Sequence, residues 1–231
     1  MFKKLEKLLG KPMKYYENLM SSRKEIAQIT AAQKQLILEQ LEPLTLDAYR
    51  FNSLPVVAEE YISNFIEVPK NKKEQALPCK GVFERNDQLA FLFIDDEKAI
   101  KNASNYQLIL KKQLSENRLK NIKTQEGTLV QSLPIWEEII HRFPKVHKLV
   151  VATHEEHPWT LYKETAKEIE QTSSYKMMLG GYPKWHFHQL DFRKLKPLEF
   201  ILEYRIEEKD FSIYFFKDPE TNEVVSFEQK D

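Results

Sequence analysis

The sequence is poor in the residues that most often reveal chemistry. Among its 231 residues there is one cysteine, Cys79, and there are only five glycines. A single cysteine cannot form an intrachain disulfide, which is typical of proteins of a reducing cytosol. A nucleophilic role for Cys79 would require an activating base nearby, and a lone cysteine is more often a small buried hydrophobe.

The sequence also lacks an excess of charge and long apolar runs. Lys and Arg number 35 and Asp and Glu number 35, so no overall positive field favours nucleic acid or an anionic membrane. No stretch approaches the ~20 apolar residues of a membrane span. The first twenty residues lack the uninterrupted apolar segment of a signal peptide. We therefore expect a cytoplasmic protein without nucleic-acid or membrane partners.

Helical patterns dominate the first seventy residues. Between Lys14 and Leu46, apolar residues recur at intervals of three, four and seven, and polar residues fill the gaps. Ser53, followed by Leu54 and Pro55, resembles a helix start that leads into a second stretch of this kind. These patterns predict a mainly helical N-terminal region, residues 1–70.

The stretch Lys70–Gly81 is polar, lysine-rich and contains proline and glycine, which favours an exposed connector. Residues 71–231 then form an α+β region, which can make a single domain with residues 1–70. Its predicted strands are Gln88–Asp96, Thr128–Gln131, His147–Glu155, Pro197–Glu207, Asp210–Asp218 and Asn222–Gln229. Its predicted helical stretches are Tyr106–Lys120, which can be mixed, Ile135–Arg142 and Leu161–Gln171.

Short polar turns separate the last three predicted strands, as an antiparallel meander requires. We therefore predict an α+β fold, with a helical N-terminal part packed on a largely antiparallel β-sheet that ends in a strand meander. The segments QLAFLFIDDE, from Gln88, and FSIYFFKDPE, from Phe211, echo each other. Two related halves would explain the echo, and so would chance.

A glycine pair marks a specific turn. Gly180 and Gly181 permit positive φ angles or a close backbone approach, and Pro183 fixes the backbone next to them. The spacing matches neither a P-loop nor the dinucleotide-binding glycine pattern, so nucleotide binding has no support there.

The segment LGGYPKWHFHQ and the three final strands resemble the C-terminal part of the YwqG-like bacterial proteins of unknown function. Gly180, Gly181, Pro183, Trp185 and Gln189 occupy the matching positions, over about residues 175–229. This chain departs from the pattern in its His-Phe-His run and in the turn between its last strands. The resemblance implies a cytoplasmic, β-rich bacterial domain, and the family has no established chemistry to carry over.

Histidines suggest a metal site. His186 and His188 would project from one face of a strand, and His154 or Asp191 could add a ligand for a zinc-like ion. The His154 segment reads H-x-x-H rather than H-E-x-x-H, and surface or hydrogen-bonded structural histidines explain the pattern more simply. We expect no cofactor, and a metal-dependent hydrolase that uses the His154–Asp191 region is the alternative.

Aromatic residues beside the glycine pair offer a binding surface. Tyr182, Trp185 and Phe187, together with Phe192, could form an exposed recognition patch, and packing beneath the sheet is the simpler interpretation. No serine-hydrolase elbow is present. The leading hypothesis is therefore a non-enzymatic accessory protein that binds an unidentified protein partner, with an immunity or stress role as one option. The oligomeric state is left open.

Overall fold

The computed structural model describes residues 29–54, 56–63, 65–85, 88–112, 125–170, 174–185, 195 and 197–230. The helices are α1 (Ala31–Leu41), α2 (Glu59–Ile62), α3 (Asp96–Ala99), α4 (Trp136–Arg142), α5 (Pro144–Thr153) and α6 (Pro158–Ala166). The strands are β1 (Leu46–Phe51), β2 (Cys79–Arg85), β3 (Gln88–Ile94), β4 (Tyr106–Lys112), β5 (Thr128–Ser132), β6 (Met177–Gly180), β7 (Glu199–Ile206), β8 (Phe211–Lys217) and β9 (Val224–Lys230).

The chain divides into two compact units, each made of two chain segments. The helical unit comprises the described residues within 1–46 and 131–172, and the strand unit comprises those within 47–130 and 173–231. The boundary expected near residue 70 therefore falls inside the strand unit. Within Lys70–Gly81, a backbone bridge joins Lys70 to Ala76, and Leu77 and Cys79 are buried. The buried side chains of Leu77 and Cys79 pack this lysine-rich stretch into an apolar cluster of the strand unit.

The helical unit packs α1, α4, α5 and α6 around one apolar cluster. α1 begins at a capping box, in which the Thr30 and Gln33 side chains each accept from the other's backbone N–H. Ile37 and Leu41 lie one turn apart on α1 and are fully buried in the cluster. The helical prediction for Lys14–Leu46 is confirmed over this stretch, and its first half lies outside the described residues.

The prediction of a strand at His147–Glu155 is wrong. Residues 147–153 of this segment belong to α5, whose proline at the first position fixes a helical φ without losing a needed hydrogen bond. Val146 and Val150 are buried one turn apart, as the buried stripe of a helix requires. A short run of apolar β-branched residues is compatible with both structures, and packing in the helical unit decides between them.

The strand unit contains two sheets. One has six strands in the order β5-β1-β6-β7-β8-β9, and the other has three in the order β2-β3-β4. In the first sheet, the pairings along the run β1-β6-β7-β8-β9 are antiparallel. Both pairings in the second sheet are also antiparallel. The fold is α+β with a largely antiparallel sheet and a C-terminal strand meander, as predicted.

The two sheets face each other across an apolar cluster, here called the shared core. Phe83, Leu92 and Leu108 enter it from the three-stranded sheet. Tyr204 and Phe215 enter it from the six-stranded sheet. The face of each sheet that points away from the shared core is its outer face.

Two meanders repeat the same pairing pattern. In the first meander, β2-β3-β4, the register shifts by one residue between Cys79 and Gly81, opposite Phe93 and Leu92. In the second meander, β7-β8-β9, the register shifts in the same way between Phe200 and Leu202, opposite Phe216 and Phe215. A bulge is a specific feature of a strand pair, so its recurrence favours two related halves over chance.

The loops that follow the central strands differ in length but share one backbone hydrogen bond. The Asp95 N–H donates to the carbonyl oxygen of Asn105, the residue before β4, over 2.9 Å. The Asp218 N–H donates to the carbonyl oxygen of Glu223, the residue before β9, also over 2.9 Å. The correspondence therefore covers the strands, the bulge and the hydrogen bond that closes the loop before the third strand.

Two further expectations need correction. Tyr106–Lys112 is strand β4 and not helical, because Tyr106 and Leu108 alternate into the shared core. The helix expected after Ser53 is limited to the four residues of α2. Among the described residues, no helix is long and apolar enough to cross a membrane.

Candidate ligand-binding site

A fully buried carboxylate lies on the outer face of the second meander. Residues on a strand alternate between faces, so Leu202 and Tyr204 enter the shared core while Glu203 and Arg205 point to the outer face. Glu203 has no solvent-exposed surface. Burial of a carboxylate is unfavourable in free energy unless charges and hydrogen-bond donors surround it. The partners of Glu203 therefore determine how the fold tolerates its burial.

Among the described residues, three groups donate to Glu203. The Arg205 Nε–H donates to Oε1, and the Tyr175 hydroxyl donates to Oε2 over 3.3 Å. The backbone N–H of Lys184 also donates to Oε2, over 3.0 Å. The carboxylate is therefore held by one cation, one phenol and one peptide group, and it is positioned rather than free to act as a base.

Tyr175 links two arginines to this carboxylate. Its hydroxyl accepts from Arg205 Nη2 over 2.5 Å, and the guanidinium carbon atoms of Arg205 and Arg50 lie 4.0 and 4.9 Å from its ring centroid. Burial, and then the charge of Glu203, raise the pKa of Tyr175 well above its usual value. Burial lowers the pKa of Arg205, but Glu203 and Tyr175 more than offset this and raise it overall. We call Arg50, Tyr175, Glu203 and Arg205 the Glu203 cluster.

A second charged group lies at the end of the shared core. Asp96 Oδ1 accepts from the Tyr204 hydroxyl over 2.7 Å, and Asp96 Oδ2 accepts from Lys80 Nζ over 2.8 Å. Lys176 Nζ lies 3.8 Å from the same Oδ2, which is beyond hydrogen-bond distance. Burial and the bond to Asp96 raise the pKa of Tyr204, so its hydroxyl stays protonated and continues to donate.

The two charged groups meet in a cavity of about 270 Å³, here called the end pocket. Its lining residues are Asn52, Asp96, Ser174, Tyr175, Lys176, Arg205, Ile206, Glu207 and Glu208. All of them belong to the strand unit. The pocket therefore joins the Glu203 cluster to the Asp96 group at the ends of β3 and β7.

The end pocket presents donors whose hydrogen bonds are not all used. Arg205 donates from Nε to Glu203 and from Nη2 to Tyr175, and no described residue accepts from its Nη1. Among the described residues, the Lys176 ammonium makes the 3.8 Å contact with Asp96 and a cation–π contact with the Tyr204 ring. Ser174 is exposed, and its hydroxyl also has no partner among the described residues. The pocket can thus offer several donors to an anionic or polar group.

The ionisation states and hydrogen bonds of the described groups around the pocket favour ligand binding over catalysis. The raised pKa values of Tyr175 and Tyr204 keep both hydroxyls protonated at neutral pH. Glu203 is occupied by its three donors. Cys79 is buried on the outer face of the first meander, and burial raises the pKa of its thiol to about 11, which leaves little thiolate.

The predicted turn residues support the Glu203 cluster from one side. Gly180 and Gly181 have φ angles of 75° and 71°, the left-handed region that favours glycine. The chain then continues through Pro183 and brings the Lys184 N–H to Glu203. The glycine pair therefore forms the tight turn that the sequence predicted, and that turn delivers a backbone donor to a buried charge.

Tyr182 and Trp185 are buried, with 8% and 6% of their surfaces exposed. The Trp185 ring packs against Tyr214 at 4.1 Å and stacks on Phe216 at 5.7 Å between centroids. The described structure thus gives the packed arrangement rather than an exposed aromatic patch. Gln189 lies outside the described residues.

The metal-site hypothesis stays a prediction. His186, His188 and Asp191 lie outside the described residues, and His154 Nδ1 accepts from the His157 N–H over 3.2 Å. Within the described part of the chain, no group of three potential ligands could hold a metal ion. Zinc titration of the wild type and of a His186→Ala/His188→Ala double variant tests the hypothesis directly.

A second cavity, of about 410 Å³, lies between the edges of β4 and β9. Its apolar lining includes Leu108, Leu110 and Phe215. The Tyr106 hydroxyl donates to Glu228 beside it, so that donor is already used. This cavity presents fewer directional polar groups than the end pocket.

Comparison with known proteins gives no relative to draw on. The chain matches no family model, no curated protein and no solved structure. The resemblance to the YwqG-like proteins is therefore still a prediction, and the argument for function depends on the end pocket alone.

The sequence did not single out the residues of the end pocket. Tyr175 and Lys176 precede β6, Glu203 and Arg205 lie in β7, and Asp96 follows β3. The available signal was the pair Glu203 and Arg205, which puts two charges on one face of a strand otherwise rich in apolar residues. A charged pair of that kind is common on wet faces, and only the fold shows that this one is buried.

Proposed function

We propose that the chain is a non-enzymatic, cytoplasmic accessory protein that binds a protein partner, and that the end pocket receives part of that partner. The observation that carries the proposal is the Glu203 cluster, which holds Arg205 rigidly at the pocket wall while leaving Nη1 for a ligand. Recognition sites depend on donors whose positions are fixed before the ligand arrives.

The ionisation of the wall supports binding rather than catalysis. Protonated tyrosines and an arginine donate hydrogen bonds, whereas a general base or nucleophile needs a group whose pKa lies near the working pH. The accessible wall is polar, and a pocket of this size accommodates one side chain or one chain end of a partner.

A comparison of partner capture by three forms of the chain tests the proposal. The forms are the wild type, Lys176→Glu in the end pocket, and Lys112→Glu as a control at an exposed lysine outside it. We expect one protein to be retained by the wild type and Lys112→Glu and lost with Lys176→Glu. Equal recovery with all three forms would show that the end pocket does not bind the partner.

A further inference from the structure

We propose that the end pocket recognises a single carboxylate group, held by Arg205 and Lys176. The shared chemistry is that of a carboxylate, and its source can be the end of a protein chain or a free small molecule. With the chain end as the source, this inference rests on the proposed function, since it names the chemical group that the partner inserts.

The hydrogen-bond donors of the end pocket that lack an acceptor among the described residues suit a carboxylate. Arg205, Lys176 and Ser174 line the same cavity, and Arg205 Nη1, the Lys176 ammonium and the Ser174 hydroxyl have no hydrogen-bond acceptor in the part of the chain that the structure describes. A carboxylate has two oxygens that accept from several donors at once, and arginine is suited to planar oxyanions. Because Arg205 is fixed by Glu203 and Tyr175, the guanidinium loses little conformational freedom when the ligand binds.

The charge around the pocket favours one negative charge over two. The charged residues of the pocket lining and of the two adjoining groups balance: Arg50, Lys80, Lys176 and Arg205 are positive, and Asp96, Glu203, Glu207 and Glu208 are negative. A carboxylate adds one negative charge to this balanced set. A phosphate dianion adds two, and it meets stronger repulsion from the exposed Glu207 and Glu208 of the lining.

The size of the pocket agrees with a chain end. A cavity of about 270 Å³ lies just below the range of roughly 300–1,000 Å³ that is typical of sites for whole small molecules. Capture of a terminal carboxylate by a few fixed donors is a recurring mode of peptide recognition. The terminal residue would occupy the cavity, and the preceding residues would lie outside it.

Two titrations test the proposal. The first follows the Arg205 Nε–H signal by NMR while sodium acetate, sodium phosphate or sodium chloride is added at matched ionic strength. The second measures fluorescence anisotropy of a random-sequence pentapeptide pool, labelled at its N-termini, with either free or amidated C-termini. Wild type, Lys176→Ala and the control Lys112→Ala are compared in both.

We expect acetate to shift the Arg205 signal saturably, chloride to leave it unchanged, and phosphate to act more weakly than acetate. Lys176→Ala should weaken acetate binding about fivefold or more, as the loss of one charged donor requires, and Lys112→Ala should not change it. The free-acid pool should bind more tightly than the amidated pool if the source is a chain end. Equal binding of the two pools, with acetate still bound, identifies a free carboxylate as the ligand.

An acetate response no larger than the chloride response, or one that Lys176→Ala leaves unchanged, would overturn the inference. Phosphate binding tighter than acetate would overturn it as well. These results are separate from those of the capture experiment. A partner that is lost with Lys176→Glu, together with no carboxylate response, would retain the proposed function and reject the carboxylate.

Discussion

The outer faces of the two meanders have the same strand pairing and opposite chemistry. In the first meander, Val82 pairs with Phe91, and both are buried in an apolar cluster. At the matching place in the second meander, Glu203 pairs with Tyr214, and Glu203 is equally buried. The comparison shows that the backbone frame does not require a charge at this position, so the charge in the second meander needs a separate explanation.

The hydrogen-bond donors around Glu203 supply that explanation. Glu203 has partners because Arg205 follows it on the same face and because Tyr175 and the Lys184 N–H approach from outside the meander. At the matching place beside Val82, the residue that corresponds to Arg205 is the exposed Glu84. The first meander thus has an apolar outer face, and the second has a face built around a charge next to the end pocket.

Placing a carboxylate in the first meander should give the largest effect. In Val82→Glu, the new carboxyl group would be buried without the donors that Glu203 has, and burial would raise its pKa above the unfolded value of about 4.3. Below about pH 4 the carboxyl group is neutral, and the free energy of unfolding of Val82→Glu should be close to that of Val82→Gln. It should fall as the pH rises, and Val82→Glu should be less stable than Val82→Gln by roughly 3 to 4 kcal/mol at pH 7. Urea unfolding of both variants at the two pH values measures this. Equal stability at pH 7 would show that the first meander can solvate a charge.

Removing the cation from the second meander should cost nearly as much. Arg205→Met leaves Glu203 buried without this charged partner, and we expect a loss of roughly 3 kcal/mol, the lower end for a broken buried pair, because the Tyr175 and Lys184 donors remain. A second change, Glu203→Gln, removes the charge but keeps an acceptor for the Lys184 N–H, so the double variant should recover much of the loss. Urea unfolding of the two single variants and the double variant gives the coupling energy. Strictly additive losses would contradict the proposed pairing.

A substitution in the glycine turn beside the second meander should reduce the stability of the protein less than the two changes above. Gly180→Ala forces an L side chain into a φ of 75°, with its Cβ 3.1 Å from the Asp47 carbonyl oxygen. We expect a loss of roughly 1 to 2 kcal/mol in thermal unfolding. Asn222→Gly is the matched control, because Asn222 already has a φ of 62° and should lose nothing when the side chain is removed. A neutral Gly180→Ala variant would remove the conformational argument for the turn.

The smallest expected change concerns reactivity rather than stability. Cys79 lies on the apolar outer face of the first meander with 2% of its surface exposed, and its raised pKa of about 11 limits the thiolate. We expect its reaction with a disulfide reagent at neutral pH to be at least about 100-fold slower in the folded protein than in denaturing urea. Ser174→Cys adds an exposed thiol as an internal control. Similar rates for both thiols would mean that this outer face opens readily.

Several strands were predictable because their signals are local. Phe211–Lys217 and Val224–Lys230 combine apolar and aromatic residues with short polar turns, and the structure confirms both. The error at α5 has a physical cause, because its valines satisfy a strand and a buried helix equally well until neighbouring helices pack on them. The pocket residues were not predictable, since no spacing in the sequence brings Asp96, Tyr175 and Arg205 together.

The sequence by itself determined the α+β class, the final meander and the glycine turn, because each depends on backbone preferences and on patterns within about ten residues. Tertiary structure alone decided that Glu203 is buried and that Arg205 lines a pocket with Lys176. The physical reason is that the environment of a charge is set by groups distant along the chain. Strand alternation places Glu203 on a face, and only packing determines whether that face meets water or donors.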